Sequence, residues 1–294
     1  MNFYFTRREY DPNTDQFTKK LADTSSYVVL PKENVNAGFR TDQAHWLSKL
    51  QTEMASNEVA IFVHGFNTSQ ATMMTRLRKV KRGLRKQGFN GAVAAFAWPN
   101  REQRLAYVKD KRDVPKFALS LLEDGIRPIL NLGSKPKVHL ICHSMGAYVC
   151  LKALSGATGN RKIGEVVFVA GDLDHPWFNR GEPPTRLMEN WATRVTNYFS
   201  TKDQILDWSE NLVHGDPRIG RDGLPHPTGA NHVDVDCTAR YRSPAYDGKR
   251  SMVCSHSFYF DDEIWLKDMA MTLCGKHPDT RGPSPNPPDS VLRP

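Results

Sequence analysis

Val138-His139-Leu140-Ile141-Cys142-His143-Ser144-Met145-Gly146-Ala147 joins two apolar runs across a short turn. Lys137–Cys142 reads as a buried strand, and Met145–Ser155 as a helix that is apolar on nearly every side. A serine between such elements occupies the tip of a strained strand-to-helix turn. Small residues two before and two after it let the helix approach the strand and leave the hydroxyl exposed. Gly146 fills the second of these positions, while Cys142 stands where the first glycine would. The helix start behind Ser144 aims the Met145 N–H at oxygen charge that develops when the hydroxyl attacks a carbonyl. The same serine would also serve as a plain helix cap.

Working outward, Glu58–Val63 is a continuous apolar strand, and a turn with Gly65 and Asn67 follows it. Next comes a basic segment in which Met73, Leu77, Val80 and Leu84 recur at helical spacing among Arg76, Arg78, Lys79, Lys81, Arg82, Arg85 and Lys86. It reads as one amphipathic helix with a solvated basic face. Residues 88–97 form another strand, and 108–132 are helical with an interruption at Pro128. Further strands fall at 165–170 and 194–199. Residues 2–6 and 27–30 read as strands at the edge of the sheet, and 41–54 as a helix opened by Thr41 or Asn36. Strands apolar on both faces, alternating with helices, predict a mostly parallel central sheet covered by helices on both faces. Residues 1–275 are expected to form one domain. Within it, 210–250 reads as a long loop or lid-like insertion, and 276–294 follows as a loosely held proline-rich tail.

A serine hydroxyl needs a base, normally a histidine oriented by a carboxylate. His256, in Cys254-Ser255-His256-Ser257-Phe258 ahead of the last helical region, is the best-framed base; His226, His232 and His277 are less so. His139 and His143 adjoin the serine too closely to reach its Oγ in the usual way. Two carboxylates compete as the acid. Asp203 follows the strand at 194–199, and Asp172 follows the one at 165–170, with Asp174 and Asp207 behind them. The turn His64-Gly65-Phe66-Asn67 ends an earlier strand. Backbone N–H groups near Phe66 and at Met145 would complete an oxyanion hole, braced by His64 and Asn67. An ordinary strand-ending turn would look the same. Trp98, Trp177, Phe178 and Trp208 are candidates for an acyl pocket or for core packing.

The 294 residues carry a formal charge of +8, which favours anionic partners without selecting a class. No zinc-finger or aromatic RNA-binding pattern accompanies the basic run. His226, His232, Asp234 and Asp236 match no zinc hydrolase signature, and neither a phosphate loop nor a dinucleotide fingerprint occurs, so no metal or cofactor is expected. Five widely spaced cysteines do not suggest a disulfide scaffold. No stretch approaches a membrane span and the start lacks a secretory pattern, so a cytoplasmic setting is expected. No protein partner is indicated.

Taken together, FYFTRRE at 3–9, IFVHGFNTS at 61–69, FAWPN at 96–100, CHSMGAYV at 142–149, FVAGDLDHPWF at 168–178, VTNYFSTKDQIL at 195–206, RIG at 218–220 and HSFYF at 256–260 give the chain a family likeness. It resembles the α/β-hydrolase proteins of the DUF900 type over nearly all of residues 2–273. The resemblance implies the α/β-hydrolase fold, with Ser144 as nucleophile, Asp203 as acid, His256 as base and Asp172 in a supporting part. Cys142, and Gly171 where a proline is common, depart from the family pattern without removing any of these groups. The expected activity is a serine hydrolase that cleaves carboxylic esters, lipid or small acyl, through an acyl-enzyme. Acyl transfer or thioester hydrolysis would use the same groups, and a non-catalytic binding protein would use the same scaffold.

Overall fold

The computed structural model describes residues 1–30, 39–101, 103, 106–159, 162–283 and 289–293. Its strands are β1 (Asn2–Asp11), β2 (Gln16–Leu30), β3 (Arg40–Thr41), β4 (Glu58–Val63), β5 (Ala92–Ala97), β6 (Lys137–His143), β7 (Ile163–Val169), β8 (Ala192–Phe199), β9 (His232–Asp236), β10 (Arg281–Pro283) and β11 (Ser290–Leu292). Among the described residues they form one sheet in the order β10-β11-β9-β8-β7-β6-β4-β5-β1-β2-β3. The run from β9 through β1 is parallel, and β2, β3 and β10 join antiparallel at the two ends.

The helices are α1 (Gln43–Gln51), α2 (Gln70–Lys86), α3 (Tyr107–Asp113), α4 (Pro115–Ser120), α5 (Arg127–Leu130), α6 (Gly146–Leu154), α7 (Pro183–Trp191), α8 (Gln204–Ser209), α9 (Ile219–Asp222), α10 (Thr238–Arg242), α11 (Met252–Ser257) and α12 (Glu263–Leu273). Successive side chains of a strand point to opposite faces, so each central strand feeds two buried layers. Val59, Ile61 and Val63 of β4 join Trp46 and Leu50 of α1 and the apolar side chains of α4–α6. Ala60 and Phe62 join Met73, Leu77, Val80 and Leu84 of α2 and Trp265, Met269 and Leu273 of α12. Each fully buried Leu, Ile, Val or Phe contributes about 1.5–3 kcal/mol, which explains why these strands read as unbroken apolar runs.

The basic helix is α2, capped by Ser69 through the Thr72 N–H. Its polar face is less open than expected, because Lys81 and Arg85 meet Glu53, Lys79 meets Asp261 and Lys86 meets Glu263. At α1 the cap is Asp42, whose carboxylate accepts from the His45 N–H at 2.8 Å, rather than Thr41; Asn36 lies outside the described residues. Pro128 does not end its helix. A π-turn at Leu121–Ile126, in which the Arg127 N–H reaches back to Leu122 O, widens the backbone ahead of it.

Two expectations need correction. Residues 210–250 are not one long loop: β9 pairs with β8 inside them, and α9 and α10 flank it. In His232-Val233-Asp234-Val235-Asp236 the polar His232 and Asp234 are buried, which concealed this strand. Asp234 is buried there because Asn197 Nδ2 and the Leu224 N–H satisfy its oxygens at 2.7 and 3.0 Å. Of the segment after 275, the described residues 281–283 and 290–292 are not loosely held either, since β11 pairs with β9 and β10 with β11. Arg281 anchors it by donating to the buried Asp268 carboxylate at 2.6 Å, to Thr272 Oγ1 at 2.8 Å and to Tyr198 Oη at 3.2 Å.

Candidate active site

The β6–α6 turn forms as its sequence predicts. Ser144 has φ +54°, a left-handed conformation rare outside glycine, and its N–H donates to Val169 O at 3.0 Å, extending the β6–β7 ladder by one residue. The backbone is held there from both sides, because Ser144 O accepts from the N–H groups of Ala147 at 3.0 Å and Asp172 at 3.2 Å. Two glycines let neighbouring chains close on it. A Cβ on Gly146 would lie 2.5 Å from Val63 O and 2.7 Å from His64 O, and one on Gly65 would lie 2.8 Å from Ser144 Cβ. Gly146→Ala is therefore expected to cost about 1–3 kcal/mol. Chemical denaturation is the measurement, and an unchanged midpoint would mean that α6 does not rest on β4 as described. Cys142, in place of the first glycine, fits fully buried between β4 and β7. Burial and the neighbouring Cys150 push its thiol well up, so it stays protonated.

His256 lies on α11, and its Nδ1 donates to Asp203 Oδ2 at 2.7 Å. The other oxygen of Asp203 accepts from the Ile205 and Leu206 N–H groups, both at 3.0 Å, and so caps α8. One buried carboxylate thus fixes both a helix start and an imidazole. With Nδ1 protonated toward Asp203, Nε2 keeps its lone pair. The His256 ring packs 4.7 Å from that of His143, the residue before Ser144. His143 Nε2 donates to His256 O at 3.0 Å. Burial, with the charges of His256 and Arg76 adding to it, holds His143 well below the usual histidine range. His143 is thus a neutral brace between the serine turn and the histidine helix, a part that its sequence position did not reveal.

Asp172 is not a partner of His256. Its oxygens accept from Arg218 Nε at 2.8 Å, from Ser209 Oγ at 3.1 Å and from the Tyr107 hydroxyl. Arg218 is completely buried and also pairs with Asp174. Burial pushes Asp172 up, but Arg218, Lys111 and Tyr107 together hold it below the usual carboxylate range. This cluster lies under the turn, since the Asp172 N–H is bonded to Ser144 O. Tyr107, Ser209 and Arg218 escaped the sequence reading because no local pattern marks a partner 37 to 65 residues away.

On the other flank, His64 is buried and stacked on Trp98 at 4.9 Å with the planes 6° apart, and the Trp98 indole donates to His64 O at 2.7 Å. Burial first, then Arg8, pushes His64 down to about 3, so it is neutral. Its Nδ1 donates to Gly65 O at 2.9 Å, bracing the loop that carries Phe66 and Asn67. Asn67 itself has φ +52°. Among the described residues neither the Phe66 nor the Met145 N–H meets a protein acceptor. Of the aromatic candidates, Trp98 and Phe178 are core, Trp177 is half-buried, and Trp208 is exposed with its ring 6.3 Å from Tyr107. Among the described residues no three His, Cys, Asp or Glu side chains converge as a metal site.

A mostly parallel sheet, helices on both faces and a serine on a left-handed strand-to-helix turn define an α/β-hydrolase. More narrowly, the chain belongs to the family described as α/β-hydrolases of unknown function (DUF900), whose profile matches residues 40–227. No curated protein matches the sequence. Fourteen chains of solved structure are similar, among them two from esterase-type proteins. One is a lipase-esterase related protein from Clostridium acetobutylicum ATCC 824, at 10% identity and TM-score 0.37, covering 76% of this chain and 96% of that one. The other is the esterase domain of a Rhodothermus marinus protein, at 15% identity and TM-score 0.34, covering 80% and 90%.

Proposed function

We propose that the protein is a serine hydrolase that cleaves carboxylic esters through an acyl-enzyme. One juxtaposition carries this reading: the Asp203–His256 hydrogen bond of 2.7 Å is tied by His143 to the left-handed Ser144 turn. In the proposed reaction His256 Nε2 takes the Ser144 proton as Oγ bonds to the carbonyl carbon. The carbonyl oxygen gains negative charge opposite the Phe66 and Met145 N–H groups. Such a donor contributes about 10²–10³ to kcat, and the base about 10²–10⁴. The C–O bond to the alcohol then breaks, and His256 returns the proton to the departing oxygen. A water activated by the same nitrogen attacks the acyl-enzyme and releases the acid.

Asp203 fixes the ring through its hydrogen bond to Nδ1 and stabilises the ring's charged form. His64, Gly65 and Asn67 shape the donor loop, and Asp172 supports the turn from below. A fluorophosphonate probe tests the reading. Wild type should be labelled on Ser144 and Ser144→Ala should not; a folded wild type that resists the probe would leave only a binding role for the scaffold.

A further inference from the structure

Two stretches that give the chain its family likeness, FYFTRRE at 3–9 and FAWPN at 96–100, contain none of Ser144, Asp203 and His256. The sheet shows what they are next to. β1 lies parallel to β5 with Thr6 opposite Ala97, and β5 lies parallel to β4 with Phe96 opposite Val63. The turn at 64–68 therefore leaves β4 beside the residues that follow β5. Trp98 and Asn100 stand just past the end of β5, and Arg8 stands on β1 two residues beyond Thr6, the last to pair with β5.

Three side chains from these stretches grip the turn at its two ends. The Trp98 indole donates to His64 O at 2.7 Å. Asn100 Nδ2 and Arg8 Nη2 both donate to Thr68 O, at 3.0 and 3.1 Å. All three donors, and the two residues they hold, are buried, so water does not compete for these bonds. Within the turn, His64 Nδ1 donates to Gly65 O at 2.9 Å and Thr68 Oγ1 donates to Phe66 O at 3.2 Å.

A trans peptide points its C=O and its N–H in opposite directions. Fixing the Gly65 carbonyl thus fixes the Phe66 N–H, and fixing the Phe66 carbonyl fixes the Asn67 N–H. Those two bonds hold the peptides relative to the turn; the bonds from Trp98, Asn100 and Arg8 hold the turn relative to the sheet. Gly65 in turn rests on the serine, since a Cβ on it would lie 2.8 Å from Ser144 Cβ. A turn that slips from its clamp therefore slips against Ser144. We infer that Trp98 and Asn100, with Arg8 as the second donor at Thr68 O, are positioning residues for the oxyanion hole: from strands that carry no reacting group they fix where the Phe66 N–H meets the developing charge. This rests on the hydrolase reading above and deepens it.

The test compares para-nitrophenyl acetate with its thionoester, in which sulfur replaces the carbonyl oxygen. Sulfur is larger and a weaker acceptor, so well-placed oxyanion donors favour the oxygen ester. In Asn100→Ala, kcat/KM for the oxygen ester should fall about 10- to 100-fold, mostly in kcat, with a much smaller change for the thionoester. Trp98→Phe keeps a ring to stack on His64 and removes the indole donor; it should lower the oxygen-to-sulfur ratio in the same way, and it carries the test if Asn100→Ala does not fold. An unchanged ratio, including an equal fall for both esters, overturns the inference. If wild type turns over neither ester, the hydrolase reading is what has failed, and amide hydrogen exchange in Trp98→Phe then decides about the clamp. Faster exchange at residues 65–67 with β4 and β5 still protected supports it; unchanged or uniformly faster exchange overturns it.

Discussion

Asp203→Asn should lower kcat for ester hydrolysis by about 10⁴-fold while the protein stays folded. The reasoning starts from the two separate duties of this carboxylate. Oδ1 caps α8 through the Ile205 and Leu206 N–H groups, and Oδ2 accepts from His256 Nδ1. Asparagine keeps an oxygen for the cap and turns an amide N–H₂ toward the imidazole. Two donors cannot face each other, so the ring adopts the other tautomer and Nε2 loses its lone pair. Asp203→Ala would remove the cap as well, at a further cost to stability of about 0.5–2 kcal/mol. Steady-state kinetics with circular dichroism on both variants separates the two duties. A folded Asp203→Asn enzyme within tenfold of wild type would show that this carboxylate does not orient the base.

Arg218→Met should destabilise the fold by about 3–5 kcal/mol, because it leaves Asp172 and Asp174 without their shared buried counter-ion. The isolated charge is the costly part, more than the lost contacts. Arg218→Met combined with Asp172→Asn should therefore be more stable than Arg218→Met alone. Denaturant midpoints at unchanged slope measure this. A loss under about 1 kcal/mol for the single variant would mean that water reaches the cluster and screens it.

The parts of the molecule that could be read in the sequence are those where one local pattern meets one local cause. The β6–α6 turn was legible because an apolar strand, small residues and an apolar helix follow in immediate order. The core face of α2 was legible because its apolar residues keep a helical period. His256 and the Asp203–Asp172 choice could be narrowed by chain order and by resemblance, but their pairing is a contact across 53 residues. β9 was hidden because Asp234 is polar yet buried, its cost offset by Asn197 and the Leu224 N–H, neither adjacent in sequence. The strands after 275 were hidden for a similar reason. Prolines argue against a strand, and only the distant Asp268 and β9 explain why one forms there. The Tyr107–Asp172–Arg218 cluster and the bracing by His143 likewise exist only once separate elements have packed.

The lock between Asp268 and Arg281 carries a consequence for biosynthesis. Until residue 281 has left the ribosome, α12 can dock only with an uncompensated carboxylate beneath it, and the outer edge of β9 stays open to other strands. A nascent chain of this protein therefore completes its sheet after translation has passed that point. Messages cut short ahead of it would yield fragments that hold Ser144, Asp203 and His256 but leave the edge of β9 unpaired, which favours aggregation.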